Sequence, residues 1–169
     1  EELKYMVLRP TNVYGRDIKN INKNQGFIEN TVFSIINDVT IKLFGDISNE
    51  RDYIYIDDFI KGVYQLICNA QLNSIFNVGS GHLSSLNDLI NKISQTLNKE
   101  VNISILNERD FDKKSIKIDV NTFKELITFK ISDIDQGLRL YLSKIKNINN
   151  YKCFQIYQYL YHPMKDMKQ

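Results

Sequence analysis

Along this chain short continuous apolar runs alternate with stretches in which apolar residues recur three and four positions apart. Tyr5 to Leu8 reads as a buried strand, stopped by Arg9-Pro10. Gly26 to Asp38 reads as a helix, with Ile28, Val32 and Ile36 near one face. Thr40 to Phe44 is strand-like, Gly45-Asp46 a turn, and Arg51 to Ile56 an extended segment. Asp57 and Asp58 then stand where acidic side chains favour a helix N-terminus. That helix carries Phe59, Ile60, Val63, Tyr64 and Ile67 at amphipathic spacing. Ile75 to Val78 is a short strand ended by Gly79-Ser80-Gly81. Ser85 and Asp88 have capping-box spacing ahead of Leu86, Leu89, Ile90, Ile93 and Leu97. Val101 to Leu106 is a further strand, and Ser132 with Asp135 repeats the capping spacing before Ile134, Leu138, Tyr141 and Ile145. Strands in alternation with helices predict an α/β domain.

Composition narrows the class without changing it. At 169 residues, 43% hydrophobic and 25% charged, the chain is long enough for one domain with a real core. Its net charge of +2 is spread thinly, without the basic stripe of a nucleic-acid platform. No apolar run has bilayer-spanning length, so neither a membrane nor a nucleic acid is an expected partner. The two cysteines, Cys68 and Cys153, lie far apart and read as free thiols of a reducing cytoplasm. His82 and His162 have no metal-ligand pattern around them. The chain opens on Glu1 and enters an apolar run at once, which suggests truncation, or processing of a longer start. From about Asn147 asparagine, lysine and tyrosine dominate without a period. Residues 1–146 are therefore read as one folded portion and 147–169 as a divergent tail, either docked, disordered or out of frame.

Four segments carry chemistry. Arg9-Pro10-Thr11-Asn12-Val13-Tyr14-Gly15 follows a strand, and Arg51 to Phe59 (RDYIYIDDF) joins a strand to a helix. Phe76-Asn77-Val78-Gly79-Ser80-Gly81 closes a strand in a turn, and Arg109-Asp110-Phe111-Asp112 follows the strand at Val101 to Leu106. In this order and spacing they resemble the C-terminal half of the NAD-dependent epimerase/dehydratase family, the extended short-chain dehydrogenases, and within it the UDP-glucose 4-epimerases. The likeness runs from about Tyr5 to Leu142.

The resemblance implies the end of a Rossmann-like parallel sheet with a small α/β substrate-binding lobe, and it assigns roles. Asn12 would donate its amide to the diphosphate of a nucleotide-sugar, where a neutral donor adds no charge; by itself it equally suits a turn cap after Pro10. Arg51 would grip the same diphosphate with its forked guanidinium, against the alternative of a surface pair with Asp52 or Asp57. Arg109 resembles a second diphosphate arginine and Asp112 the acid that accepts ribose hydroxyls, although Asp110 and Phe111 stand where the family commonly has proline and glycine. Phe44 matches a position beside the base and ribose, or is simply core, and Lys42 falls where backbone lines the base pocket. Pro10, Thr11 and Val13 would lie beside the nicotinamide ring of NAD. Gly79-Ser80-Gly81 lacks the dinucleotide glycine fingerprint and reads as a structural turn.

The family chemistry transfers a hydride from the sugar to NAD and back, with a general base drawn from a Tyr-x-x-x-Lys pair. Tyr161 and Lys165 have that spacing but enclose Pro163 in the irregular tail, so the pair is read as chance. The expectation is a nucleotide-sugar 4-epimerase acting on UDP-hexoses or their N-acetyl derivatives, present without its catalytic half, with NAD held mainly by that half and a homodimer as the full-length form. A 4,6-dehydratase, or a non-catalytic nucleotide-sugar-binding relic, is the alternative.

Overall fold

The computed structural model of the chain describes residues 3–16, 26–70, 72–107 and 115–149. Their order is β1 (Met6–Pro10), β2 (Asn12–Tyr14), α1 (Phe27–Ile36), β3 (Ile41–Phe44), β4 (Glu50–Tyr55) and α2 (Ile56–Asn69). There follow β5 (Ser74–Val78), β6 (Leu83–Ser85), α3 (Leu86–Leu97), β7 (Ile103–Leu106), α4 (Asn121–Leu126) and α5 (Ile134–Asn149). The α/β alternation is as the apolar rhythm predicts, and parallel pairing dominates. β1 runs parallel to β5, β2 to β4 and β3 to β7, while the short β6 closes antiparallel on β4.

β4 organises the interior. From Asp52 to Tyr55 every side chain is buried, the signature of a strand covered on both faces. Strand alternation sends Tyr53 and Tyr55 into one core, with Ile28, Val32, Leu89, Ile93 and Leu138. Ile54 goes the other way, into a smaller core with Leu66, Phe76, Val78 and Phe123.

Several local expectations need correction. The strand read as Tyr5 to Leu8 is Met6–Pro10, so Pro10 ends it, and none of its five residues is buried. β1 hydrogen-bonds only β5 among the described residues, and Val7 faces outward at 40% exposure. In α2 the apolar spacing does not mark the packed face: Ile60, Tyr64 and Ile67 are exposed, whereas Asp58, Gly62 and Leu66 are buried. The reason lies in Gly62, which lets α2 approach α4 so closely that a Cβ there would meet the Phe123 ring at 2.5 Å.

The cap of α3 is as predicted, since Ser85 Oγ accepts from Asp88 N at 3.1 Å. The cap of α5 shifts by one residue. Asp133 Oδ1, not Ser132, accepts from Gln136 N at 2.7 Å. Ser132 instead donates its backbone N–H to buried Asp58 Oδ2, which ties the start of α5 to α2. Lys144 strengthens the same seam, at 3.1 Å from Asp57 Oδ2 and 5.3 Å from the centre of the Tyr55 ring.

Candidate functional site

The described motif segments converge on one buried carboxylate. Asp52 is 3% exposed and sits in β4 between Arg51 and Tyr53. Its Oδ1 accepts from Ser80 N at 3.0 Å and from Ser80 Oγ at 2.6 Å, and its Oδ2 accepts from Gly81 N at 2.8 Å. A buried carboxylate is tolerated when charge-assisted hydrogen bonds satisfy it in this way. The turn after β5 is thus held by the residue that follows Arg51. Gly79 completes the approach, because a Cβ there would lie 2.5 Å from Thr11 Cγ2 and 2.7 Å from Asp52 Oδ2.

Asn12 joins the same knot from the other side. Its Nδ2 donates to Asp52 O at 2.9 Å, and β2 pairs Asn12 with Tyr53. The Asn12 side chain therefore locks two strands together while remaining exposed at the surface. Thr11 N donates to Val78 O at 2.9 Å, and Thr11 Oγ1 is buried with no hydrogen-bond partner among the described residues. Arg51 is half-buried, opposite Ser84 of β6, and its Nη1 donates to Glu50 O at 2.8 Å. Of the neighbouring acids, Asp52 accepts from Ser80 and Gly81, and Asp57 accepts from Lys144.

Beyond β2 the chain turns sharply at Gly15, whose φ of +107° belongs to glycine. Val13, Tyr14, Gly15, Gly26, Glu29 and Ile56 line a cavity of about 480 Å³ there. Tyr14 forms its inner wall, packed against Tyr55 at 5.7 Å and edge-on to Tyr141 at 6.5 Å between ring centres. Burial, and secondarily the charge of Asp58, holds the Tyr14 hydroxyl far above its ordinary range. Burial likewise pushes Tyr53 up to about 12, with Arg51 drawing it partly back. Both phenols therefore stay neutral at physiological pH.

Lys42 and Phe44 lie apart from this knot, on β3, and both side chains are exposed on the same face of the strand. Register pairs them with Ser104 and Leu106 of β7. Arg109 and Asp112 lie outside the described residues, as do Cys153, His162 and the Tyr161–Lys165 pair. The structure thus gathers Thr11, Asn12 and Arg51 around Asp52, with Pro10 and Val13 as their chain neighbours, and sets Lys42 and Phe44 on a separate strand pair.

Two residues that organise this candidate site have no such role in the sequence pattern: Asp52 enters there only as an alternative surface partner of Arg51, and Glu29 without a role. An acid leading into an apolar strand run (Asp52 before Tyr53 and Ile54) is the available signal, because an unpaired carboxylate is costly at a buried position. For Glu29 the signal was weaker: an acid one residue from Ile28, on the face that the helical period assigns to the core.

The chain resembles known proteins in sequence and in fold. The NAD dependent epimerase/dehydratase family matches residues 1–79. The dTDP-4-dehydro-6-deoxyglucose reductase of Escherichia coli is 33% identical over 120 residues, which cover 69% of this chain and 37% of the reductase. Two solved structures share the fold. UDP-glucose 4-epimerase of Thermotoga maritima, solved with UDP-glucose, superposes with a TM-score of 0.75 at 24% identity, over 87% of this chain and 47% of its own. UDP-glucose 4-epimerase of Thermus thermophilus, solved with NAD, gives 0.74 at 19% identity, over 85% and 47%. The chain thus spans less than half the length of each of these relatives. Residues 1–79 thus match the NAD dependent epimerase/dehydratase family, and across most of its length the chain shares the fold of these UDP-glucose 4-epimerases.

Proposed function

We propose that this chain is the nucleotide-sugar-binding part of an NAD-dependent nucleotide-sugar 4-epimerase, with a UDP-hexose or UDP-N-acetylhexosamine as substrate. The observation that carries this reading is the knot at Asp52, which fixes the Asn12 amide and sets the strand carrying the Arg51 guanidinium beside it. A diphosphate asks for such a pair, one forked cation and one neutral donor held in place beforehand. Arg51 rises from a strand buried on both faces, so little of its backbone freedom remains to be lost on binding. Lys42 and Phe44 on β3, with Arg109 and Asp112, would serve the base and ribose end.

Pro10, Thr11 and Val13 fit one wall of a nicotinamide site. Thr11 offers a buried hydroxyl with no partner among the described residues, and Val13 an apolar surface on the cavity. NAD, when bound, accepts a hydride from the sugar and returns it. The residues of this chain hold the substrate's phosphates and shape the wall beside the ring.

Titration calorimetry with UDP-glucose, and dTDP-glucose as competitor, tests the reading. Arg51→Ala is expected to weaken UDP-glucose binding at least tenfold while leaving the circular dichroism spectrum unchanged. Equal binding by wild type and Arg51→Ala would remove the diphosphate role. Tighter binding of dTDP-glucose would shift the substrate class toward that of the Escherichia coli reductase.

A further inference from the structure

We infer that Glu29 is a positioning residue of this site, its carboxylate fixing the end of β2 so that Asn12 and Val13 are presented and the cavity beside them stays open. The inference rests on the nucleotide-sugar reading above and adds a residue to it. Glu29 stands in the first turn of α1, yet it is 4% exposed, unusual for an acid that is in no salt bridge among the described residues. Its Oε1 accepts from two backbone amides of another element, Gly15 N at 2.9 Å and Arg16 N at 3.3 Å. Those amides follow β2 directly, where the ladder with β4 has ended at Tyr14.

β2 is only three residues long and has one hydrogen-bonded neighbour, β4, among the described residues. It is held at its start by Asn12 on Asp52 O and just past its end by Glu29. Without the second tether, the turn at Gly15 has the conformational freedom of glycine, and Val13 and Asn12 inherit it. Glu29 also lines the cavity that opens beside Val13, so loss of its side chain alters both the clamp and the wall. Gly26, the residue before α1, has no room for a Cβ because the Glu29 carboxylate occupies that space. One side chain thereby sets the helix start and the strand end against each other.

Reach and charge separate in two substitutions. Glu29→Gln keeps an oxygen at the same reach and removes the charge; Glu29→Asp keeps the charge and withdraws the oxygen by one methylene. Both are titrated with UDP-glucose by calorimetry, and the exchange of the Gly15 and Arg16 amides is followed by NMR. Positioning requires Glu29→Gln to bind within about threefold of wild type with both amides protected. It requires Glu29→Asp to bind at least tenfold more weakly, with both amides exchanging faster. Wild-type affinity in Glu29→Asp, or a loss in Glu29→Gln as large as in Glu29→Asp, overturns the role, the second because it would make the charge rather than the tether decisive. A wild-type chain that binds no UDP-glucose overturns the site reading and this role together, an outcome distinct from wild-type binding with indifferent variants.

Discussion

Asp52→Ala is expected to destabilise the chain by about 4 kcal/mol, much of the stability typical of a domain. The substitution strands three donors, Ser80 N, Ser80 Oγ and Gly81 N, in a turn whose Ser80 is 4% exposed. Each buried donor left without a partner costs about 1–3 kcal/mol, and a carboxylate acceptor is worth more than a neutral one. Asp52→Asn should fall between Ala and wild type. Either orientation of the amide keeps one oxygen for Ser80 or Gly81 and aims an NH2 at an N–H or hydroxyl donor. Urea unfolding with an unchanged slope is the measurement. Equal stability of Asp52→Ala and wild type would mean that the knot does not hold the motif segments together.

Gly137→Ala is expected to cost about 2–3 kcal/mol, although alanine is the better helix former by about 1 kcal/mol. Gly137 is buried in the first turns of α5, and a Cβ there would collide with the Tyr14 hydroxyl, 3.1 Å from Tyr14 Cζ and 3.3 Å from Tyr55 Cβ. The Tyr14 ring cannot easily give way, since it is 3% exposed and bounded by Tyr55 and Tyr141. Removing the obstructing oxygen offers a check. In a Tyr14→Phe background Gly137→Ala should cost less than about 1 kcal/mol, a coupling that a double-mutant cycle reads directly. Additive effects would place the strain elsewhere than between Gly137 and Tyr14.

The parts of the fold that were legible in the sequence are those with a period longer than noise. α1, α3 and α5 were found because Ile28, Val32, Leu89, Ile93, Leu138 and Tyr141 sit on core-facing turns. β2, β6 and α4, of three, three and six residues, were passed over because so few positions carry no period. α2 shows the opposite failure. Its apolar residues have helical spacing, but packing against α4 through Gly62 turns Ile60, Tyr64 and Ile67 outward. A glycine marks close approach only once the neighbour is known.

Around the candidate site, Arg51, Asn12 and Thr11 take their expected roles from motif order, because their spacing around buried strands resembles a family pattern. Asp52 and Glu29 leave a fainter mark, since their partners are the backbone amides of Ser80, Gly81, Gly15 and Arg16. A side chain whose chemistry is aimed at main-chain N–H groups leaves no trace in the partner's residue type. Ser80 is the exception, for its hydroxyl also reaches Asp52.

The central claim, that the strands around Asp52 form a nucleotide-sugar site, is tested most directly by mapping backbone amide shifts while UDP-glucose is added to the full chain. The expected result is a saturable change confined to Thr11 to Arg16, Arg51 to Tyr53 and Ser80-Gly81, with the exposed face of α2 at Ile60, Tyr64 and Ile67 unmoved. Saturable shifts centred on α2, or none near Asn12 and Arg51 in a folded chain, would contradict it.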